Sequence, residues 1–399
     1  MDFEPVLRFI ACSDVHFNMD RDDEPQRFEH GMELAYQYAA GQAYRQLDAV
    51  YVVGDFTDCG SAEQMRRFRD SVSRSIRPET PVVLTAASHE FKCEDPENVF
   101  PRMKELFGQE PDNHRVINGF HFISITTDAR NHVSGAQQEW LRSQLKAAAA
   151  DDWKKPIFVF QHPHLSGTVY GSINWGEDDI IAILMDYPQV VDFSGHSHAP
   201  INDPRSVHQA WFSSFGTGSF SYFELDEFDK MYGTVPPDCR QCAQYLIVEA
   251  DRDNRVRVLP FDILSERFFN DGWLIERPWD PSSFRYTDDR RLMAEKPAFP
   301  ENVPFACDYK EGKINLRFGQ AVGAERPDAY AAVIRRVADG RIFAQKSVFS
   351  SYYLYEMPKE VSMVFELELP AGNYQVELTA VGFWNNRSDA LVRPFTVNG

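Results

Sequence analysis

Cysteine is scarce: six residues in 399, too few for a disulfide framework. Cys239-Arg240-Gln241-Cys242 is a lone CxxC. A structural zinc site usually needs a second such pair, and the sequence has none. Free thiols in a loop are the first reading of it, and a local disulfide the next. Positive charge is scarce as well. Lys and Arg number 41 against 60 Asp and Glu, a formal net charge of -19. This argues against nucleic acid as the main partner, because the phosphate backbone rewards clustered cations. No run approaches the ~18 apolar residues of a membrane span. Met1 to Pro5 is acidic and lacks the layout of a signal peptide. A natural start there implies the cytoplasm; a truncated one leaves export open. No internal repeat or low-complexity segment is visible.

Apolar residues make up 43% of the chain, ample for packing. The length exceeds one ordinary core, so two domains are expected. Strand and helix patterns alternate to about residue 200, which fits an α/β domain with a sheet-rich second half. Strands are expected at 7–12, 49–53, 81–85, 156–160 and 190–193. A hairpin is expected around Asn118-Gly119, the strongest short turn signal. Helices are expected over 26–47, from a Ser61-x-x-Gln64 capping box, over 134–150 from a Ser134 cap, and over 178–185.

Residues 261–300 carry four prolines and little periodicity, and read as a linker wrapping the first domain, 1–260. In 301–399 the pattern changes. Ile314-Leu316-Phe318, Val361-Met363-Phe365-Leu367-Leu369 and Tyr374-Val376-Leu378-Ala380 alternate with mainly polar residues. These are half-buried antiparallel strands. Tyr374 follows the turn Pro370-Ala371-Gly372-Asn373, a placement like the tyrosine corner of immunoglobulin-like sandwiches. The segment resembles a fibronectin type III module, an all-β sandwich.

The chemistry lies at the strand ends. Val50 to Val53 runs into Gly54-Asp55-Phe56-Thr57-Asp58. Alone this is as well read as a turn. The same grammar recurs at Asp14-Val15-His16, Ser88-His89-Glu90, His162-Pro163-His164 and Gly195-His196-Ser197-His198. Asp14 and His16 are i and i+2, so on an extended segment they face one side. Carboxylate with imidazole suits Zn, Mn or Fe rather than Ca or Mg. Two such ions need a shared anion between them, and Asp55 is the best candidate. His114, His121, His132 and His208 are left as core or surface histidines. Cys12 and Cys59 flank the ligands and read as small buried residues.

In this order the five blocks resemble the signature of calcineurin-like metallophosphoesterases. The resemblance covers roughly residues 7–260. It implies a four-layer αββα core with a dinuclear transition-metal centre of Mn, Fe or Zn. Carried over, one ion is held by Asp14, His16, Asp55 and His198. The other is held by Asp55, the motif-three residue, His162 and His196. His89 corresponds to the general acid or phosphate-contacting histidine, and Asp58 to its carboxylate partner. The family usually has Asn where this chain has Ser88, so the second ion's shell is in question. His164 is a further candidate for substrate contact. Arg205 reads equally as a phosphate clamp or a partner of Asp203. Tyr170 and Trp175 read equally as packing or as substrate platforms.

The implied activity is hydrolysis of phosphate mono- or diesters of a small phosphorylated substrate by a metal-bound hydroxide. The alternatives are a nuclease, or a non-catalytic metal-binding scaffold whose second site has decayed.

Overall fold

The computed structural model describes residues 2–226 and 233–398. The chain divides into two compact units, Met1–Asp288 and Asp289–Gly399. In the first unit the elements run β1 (Pro5–Cys12), α1 (Asp23–Gly41), β2 (Ala49–Val53), α2 (Ala62–Ser75), β3 (Val82–Thr85) and α3 (Pro96–Phe107). Then come β4 (Asn113–Ile117), β5 (Phe120–Ser124), α4 (Gly135–Asp151), β6 (Ile157–Phe160) and β7 (Val190–Ser194). The unit closes with β8 (Val207–Gln209), β9 (Ser213–Gly216), β10 (Gln244–Asp251), β11 (Val256–Asp262), β12 (Arg267–Phe268) and β13 (Trp273–Ile275).

Two mixed sheets result. One has the order β12-β11-β10-β1-β2-β3, with β13 also on β11; the other is β8-β9-β7-β6-β5-β4. β1, β2 and β3 are parallel, as are β5, β6, β7 and β9. Strands covered on both faces must be apolar at every position, and β2 is. Its Ala49, Tyr51 and Val53 face the other sheet, while Val50 and Val52 pack under helices α1 to α3. Between the sheets, Phe9 meets Tyr51, Phe122, Phe158, Phe160 and Phe193 edge-on at 4.9–6.1 Å. Tyr51 stacks on Phe160 at 4.0 Å. Leu141, Leu145 and Ala148 of α4 cover the outer face of the second sheet. The layers are therefore α, β, β, α, as the resemblance implied.

Local expectations fared unevenly. Ser134 caps α4 through Gln137 N, and Gln137 returns to Ser134 N at 3.0 Å. Asn118 and Gly119 turn the β4–β5 hairpin with φ of 50° and 78°. Ser61 caps α2, but Gln64 Oε1 accepts from Cys59 N, so that box is only half closed. The helix expected to Leu47 stops at Gly41. Beyond it the chain extends so that the Tyr44 and Gln46 carbonyls can accept from the buried guanidinium of Arg8. The helix expected over 178–185 is one turn, Ile181–Leu184.

Residues 261–300, expected as a linker, divide between the units. Trp273 and Ile275 of β13 are buried in the intersheet core. Phe299 instead packs on the core of the second unit. Proline density marked irregular chain there, not absence of packing.

The second unit is a β-sandwich. Its strands are β14 (Phe305–Lys310), β15 (Lys313–Gly319), β16 (Ala329–Arg336), β17 (Ile342–Phe349), β18 (Glu360–Glu366), β19 (Gly372–Val381) and β20 (Leu391–Val397). One sheet is β14-β15-β18 and the other β17-β16-β19-β20, with antiparallel pairing throughout. Ile314, Leu316, Phe318, Val361, Met363 and Phe365 face Tyr330, Ile334, Tyr374, Val376 and Leu378. The hydroxyl of Tyr374 donates to the Pro370 carbonyl at 2.8 Å, closing the tyrosine corner. Tyr374→Phe removes that donor inside a buried site and should cost about 1–2 kcal/mol. Urea unfolding of the second unit, with the first unit's transition unmoved, is the check.

Asp192 on β7 is fully buried, with Oδ2 unpartnered. Burial pushes its carboxyl from 3.8 up to about 7, against weaker hydrogen bonds from Gln161 and Ser214. A raised folded-state value means the acid form suits the fold. Its stabilising contribution is full below pH 3.8 and fades as pH rises through about 7. Asp192→Asn should therefore leave stability unchanged near pH 4 and raise it by up to about 4 kcal/mol at pH 9. Equal effects at both pH values would contradict this.

Candidate metal centre

The site forms where β1, β2, β3, β6 and β7 end, at the carboxyl edges of the parallel strands. Asp14, His16, Asp55, His196 and His198 all have positive φ, between 49° and 72°. The extended geometry expected for Asp14 and His16 is therefore not what presents them. Each lies in a left-handed turn just beyond its strand. Asp14 N donates to Gly54 O and His16 N to Asp55 O, which locks the two loops together. Left-handed backbone costs roughly 1 kcal/mol or more per residue and is tolerated best by Asn, Asp and His. Two glycines permit the close approach. A Cβ on Gly54, itself at φ 82°, would lie 2.3 Å from the His162 ring. A Cβ on Gly195 would lie 2.5 Å from Asp14 Oδ2.

The donor atoms fall into three overlapping groups, Asp14 with His16 and His198, Asp55 with His162 and His196, and His16 with Asp55 and His89. His16 Nε2 faces His198 Nε2 at 3.1 Å, and His198 Nε2 lies 3.1 Å from Asp14 Oδ1. His162 Nε2 is 3.0 Å from Asp55 Oδ2 and 3.9 Å from Asp14 Oδ1. Despite these distances neither Asp14 Oδ1 nor His162 Nε2 is aligned in a hydrogen bond, and both are buried. The outer atoms are held elsewhere. Asp14 Oδ2 accepts from Ser13 Oγ and from His196 N. His162 Nδ1 lies 2.7 Å from Val53 O, and His198 Nδ1 3.1 Å from Tyr222 O. A carbonyl can only accept, so both rings carry a proton on Nδ1 and turn Nε2 inward.

The electrostatics agree with a cation-binding role. Burial would push Asp14 up, but His198 and His162 outweigh it and hold the carboxyl below its usual range. Burial opposes ionisation of Asp55 too, and His162 again outweighs it. Burial, then His198 and His89, hold His16 neutral. Burial and His162 push His196 down to about 4. Burial opposes protonation of His162 and His198, but Asp55 and Asp14 outweigh it, raising His162 to about 10 and His198 above its usual value, so a metal ion bound there would take the place of their Nε2 protons. Ionised carboxylates with imidazole nitrogens turned inward suit Zn, Mn or Fe.

His89 sits at the rim, about a quarter exposed. Its Nδ1 lies 2.8 Å from the main-chain carbonyl of Asp58. The Asp58 carboxylate is farther, 3.7 Å, and equally near His16 Nδ1 at 3.9 Å. The partner expected from the Asp58 side chain is thus its backbone. His89 Nε2 points toward Asp55 Oδ2 at 4.0 Å. Ser88 is half-buried beside it, and its hydroxyl makes no hydrogen bond among the described residues.

Three expected substrate contacts are committed elsewhere. His164 is buried, with Ser194 Oγ on one nitrogen at 2.8 Å and Ser197 Oγ on the other at 2.6 Å. Burial pushes it down to about 3, so it is a neutral packing group. Arg205 forks onto Asp203 through Nε and Nη2 at 2.9 and 2.6 Å and lies 4.0 Å over the Tyr170 ring. Tyr170 Oη accepts from Asp226 N. Trp175, in contrast, abuts His196 edge-on at 5.1 Å. Cys239 and Cys242 are free thiols, and Cys12 is buried.

Other residues were not singled out from sequence. Tyr222 packs on His198 at 4.2 Å and follows an unpatterned Gly-Ser-rich stretch. Asn131 comes within 3.3 Å of His196 Nε2. Glu90 was visible as the third residue of its block but given no role. Its buried carboxylate accepts from Asp55 N, Thr57 N, Thr57 Oγ1 and Ala87 N at 2.9–3.1 Å. It is the clamp that holds the Asp55 loop against the His89 turn. Burial and then Asp55 push it up to about 8, against the pull of Thr57 and Ala87. Glu90→Ala strands several buried N–H groups and should cost about 3 kcal/mol or more. Urea unfolding of the first unit would reveal it, and a loss under 1 kcal/mol would refute the clamp.

Residues 7–200 match the family model of calcineurin-like phosphoesterases. No curated protein matches the chain. Among solved structures it is similar to a purple acid phosphatase from yellow lupin (Lupinus luteus) seeds, with 12% identity and a TM-score of 0.43. That match covers 72% of this chain and 55% of the lupin chain, so this chain spans about half the lupin enzyme's length. The structure named FN3tt is similar to 25% of this chain over 92% of its own, with 14% identity and a TM-score of 0.18. A duf3244 family protein with an immunoglobulin-like β-sandwich fold from Bacteroides vulgatus is similar to 26% of it over 98% of its own, with 14% identity and a TM-score of 0.17. Among the described residues no helix is long and apolar enough to cross a membrane.

Proposed function

Residues 7–200 form a calcineurin-like phosphoesterase domain, and from that premise we propose that the chain hydrolyses esters of a small phosphorylated substrate at a dinuclear metal centre. The observation that carries this reading is the convergence of the buried Asp14 Oδ1 and His162 Nε2, neither aligned in a hydrogen bond, beside the facing Nε2 atoms of His16 and His198. In this reading Asp14, His16 and His198 would hold one ion, and His162 and His196 the other. Asp55 lies near donors of both groups and would be the anion they share. Ions of Mn, Fe or Zn held there supply Lewis acidity toward a phosphoryl oxygen and lower the pKa of water.

The chain's own residues do the rest. Asp14 and Asp55 stay ionised, and His162 and His198 are oriented through Nδ1 by backbone carbonyls. These groups need no rearrangement when charge develops, which is how a preorganised site stabilises a transition state. His89 is the half-open group. With Nδ1–H on the Asp58 carbonyl, its Nε2 is free to meet a phosphoryl oxygen or to carry a proton to the leaving oxygen. Arg205, Tyr170 and His164 are engaged in their own contacts, which leaves His89 as the protein's donor to the phosphoryl group.

The assay uses p-nitrophenyl phosphate and its bis-ester with added Mn, Zn or Fe. Asp55→Asn should lose activity and metal with the fold kept. His89→Ala should keep its metal and lose about 100- to 10,000-fold in kcat. Full turnover by well-metallated Asp55→Asn would sink the bridging role. No turnover by the fully loaded wild-type chain would favour a metal-binding scaffold. The preferred ester separates phosphatase from phosphodiesterase.

A further inference from the structure

Three histidines of the site show one rule and one exception. His162 and His198 each place Nδ1 on a backbone carbonyl and leave Nε2 for the centre. His196 is different: it is Nε2 that meets a protein side chain, Nδ2 of the Asn131 amide as placed, at 3.3 Å. A neutral imidazole that ligates through one nitrogen carries a proton on the other, and that N–H needs an acceptor. We infer that Asn131 is a positioning residue for the second metal site: its side-chain oxygen accepts from His196 Nε2–H and commits Nδ1 of His196 as the ligand. This rests on the dinuclear reading above.

The surroundings of Asn131 fit that task. It is 8% exposed, at φ 64°, in the loop between β5 and α4. Asp128 fixes the loop: its carboxylate accepts from Arg130 N at 2.7 Å and His132 N at 2.9 Å, and its carbonyl from Asn131 N at 3.0 Å. Thr127 N donates to Ala86 O, which ties the loop to the turn carrying Ser88 and His89. The far end of the amide has a partner of either polarity. Asn131 Oδ1 lies 3.5 Å from Thr127 Oγ1, and Thr127 is buried. A hydroxyl donates or accepts equally well. Turning the amide over thus puts Oδ1 on His196 and Nδ2 on Thr127 Oγ1, with every polar atom matched. The turned orientation is the one a ligating His196 requires, because an amide N–H cannot accept from Nε2–H. On the other flank Trp175 confines the ring edge-on. With Ser88 offering no amide to this site, the orientation of His196 matters more to the second ion's affinity.

The full chain is titrated with Zn by calorimetry, with bound metal counted, for wild type, Asn131→Leu and Asn131→Asp. Long-range 1H–15N spectra read the proton position on the His196 ring. Asn131→Leu should weaken one of two equivalents by about 10- to 100-fold and leave the other unchanged. Asn131→Asp should restore it, since a carboxylate accepts from the same N–H. In the Zn-loaded wild type, His196 should show a protonated Nε2. Two tight equivalents in Asn131→Leu, no rescue by Asp, or a proton on Nδ1 would each overturn the inference. If the wild type binds a single ion, the dinuclear reading fails, and the His196 proton then decides the contact alone: on Nε2 supports it, on Nδ1 overturns it.

Discussion

Everything at the strand ends depends on two buried carboxylates. Asp14 and Asp55 are almost completely withdrawn from water and lie among five imidazoles. Burying an ionised carboxylate costs several kcal/mol unless charge and donors compensate it. One oxygen of each is met by main-chain N–H groups, of His196 for Asp14 and of His89 for Asp55. The others face histidine nitrogens that are themselves short of partners. A cation bound there would remove the carboxylate repulsion and take the inward imidazole nitrogens together, so binding it and completing the fold of these loops would become one process.

That demand explains the odd backbone. Five candidate ligands in left-handed conformation are a local strain that no strand or helix would accept. Glu90 gathers four donors to hold one pair of loops, and the aromatic stack of Phe9, Tyr51 and Phe160 keeps the two sheets beneath them in place. Rigid layers below carry strained loops above, and the loops carry the donors.

Much of this was legible in the sequence, for identifiable reasons. Continuous apolar runs such as Val50 to Val53 announced strands covered on both faces, and each ended in a polar cluster. Alternation and the turn before Tyr374 announced the sandwich and its corner. What the sequence hid was of another kind. Asp14 and His16 looked extended by their spacing, yet left-handed turns present them, because φ is set by contacts with the Gly54 loop. Asp58 looked like a carboxylate partner for His89, yet its carbonyl does that work, and backbone groups carry no sequence signal. Arg205 and His164 looked available, but Asp203 and two serines claim them. Asn131 belongs to no recurring block, and only the fold brings its loop to His196.

The central claim is that Asp55 is shared by two ions, and diffraction from metal-loaded crystals of the full chain tests it most directly. Anomalous maps should show two peaks roughly 3.5–4 Å apart, one beside Asp14, His16 and His198, the other beside His162 and His196, with the Asp55 carboxylate between them. A single peak at saturating metal, or two peaks with Asp55 bound to only one, would contradict it.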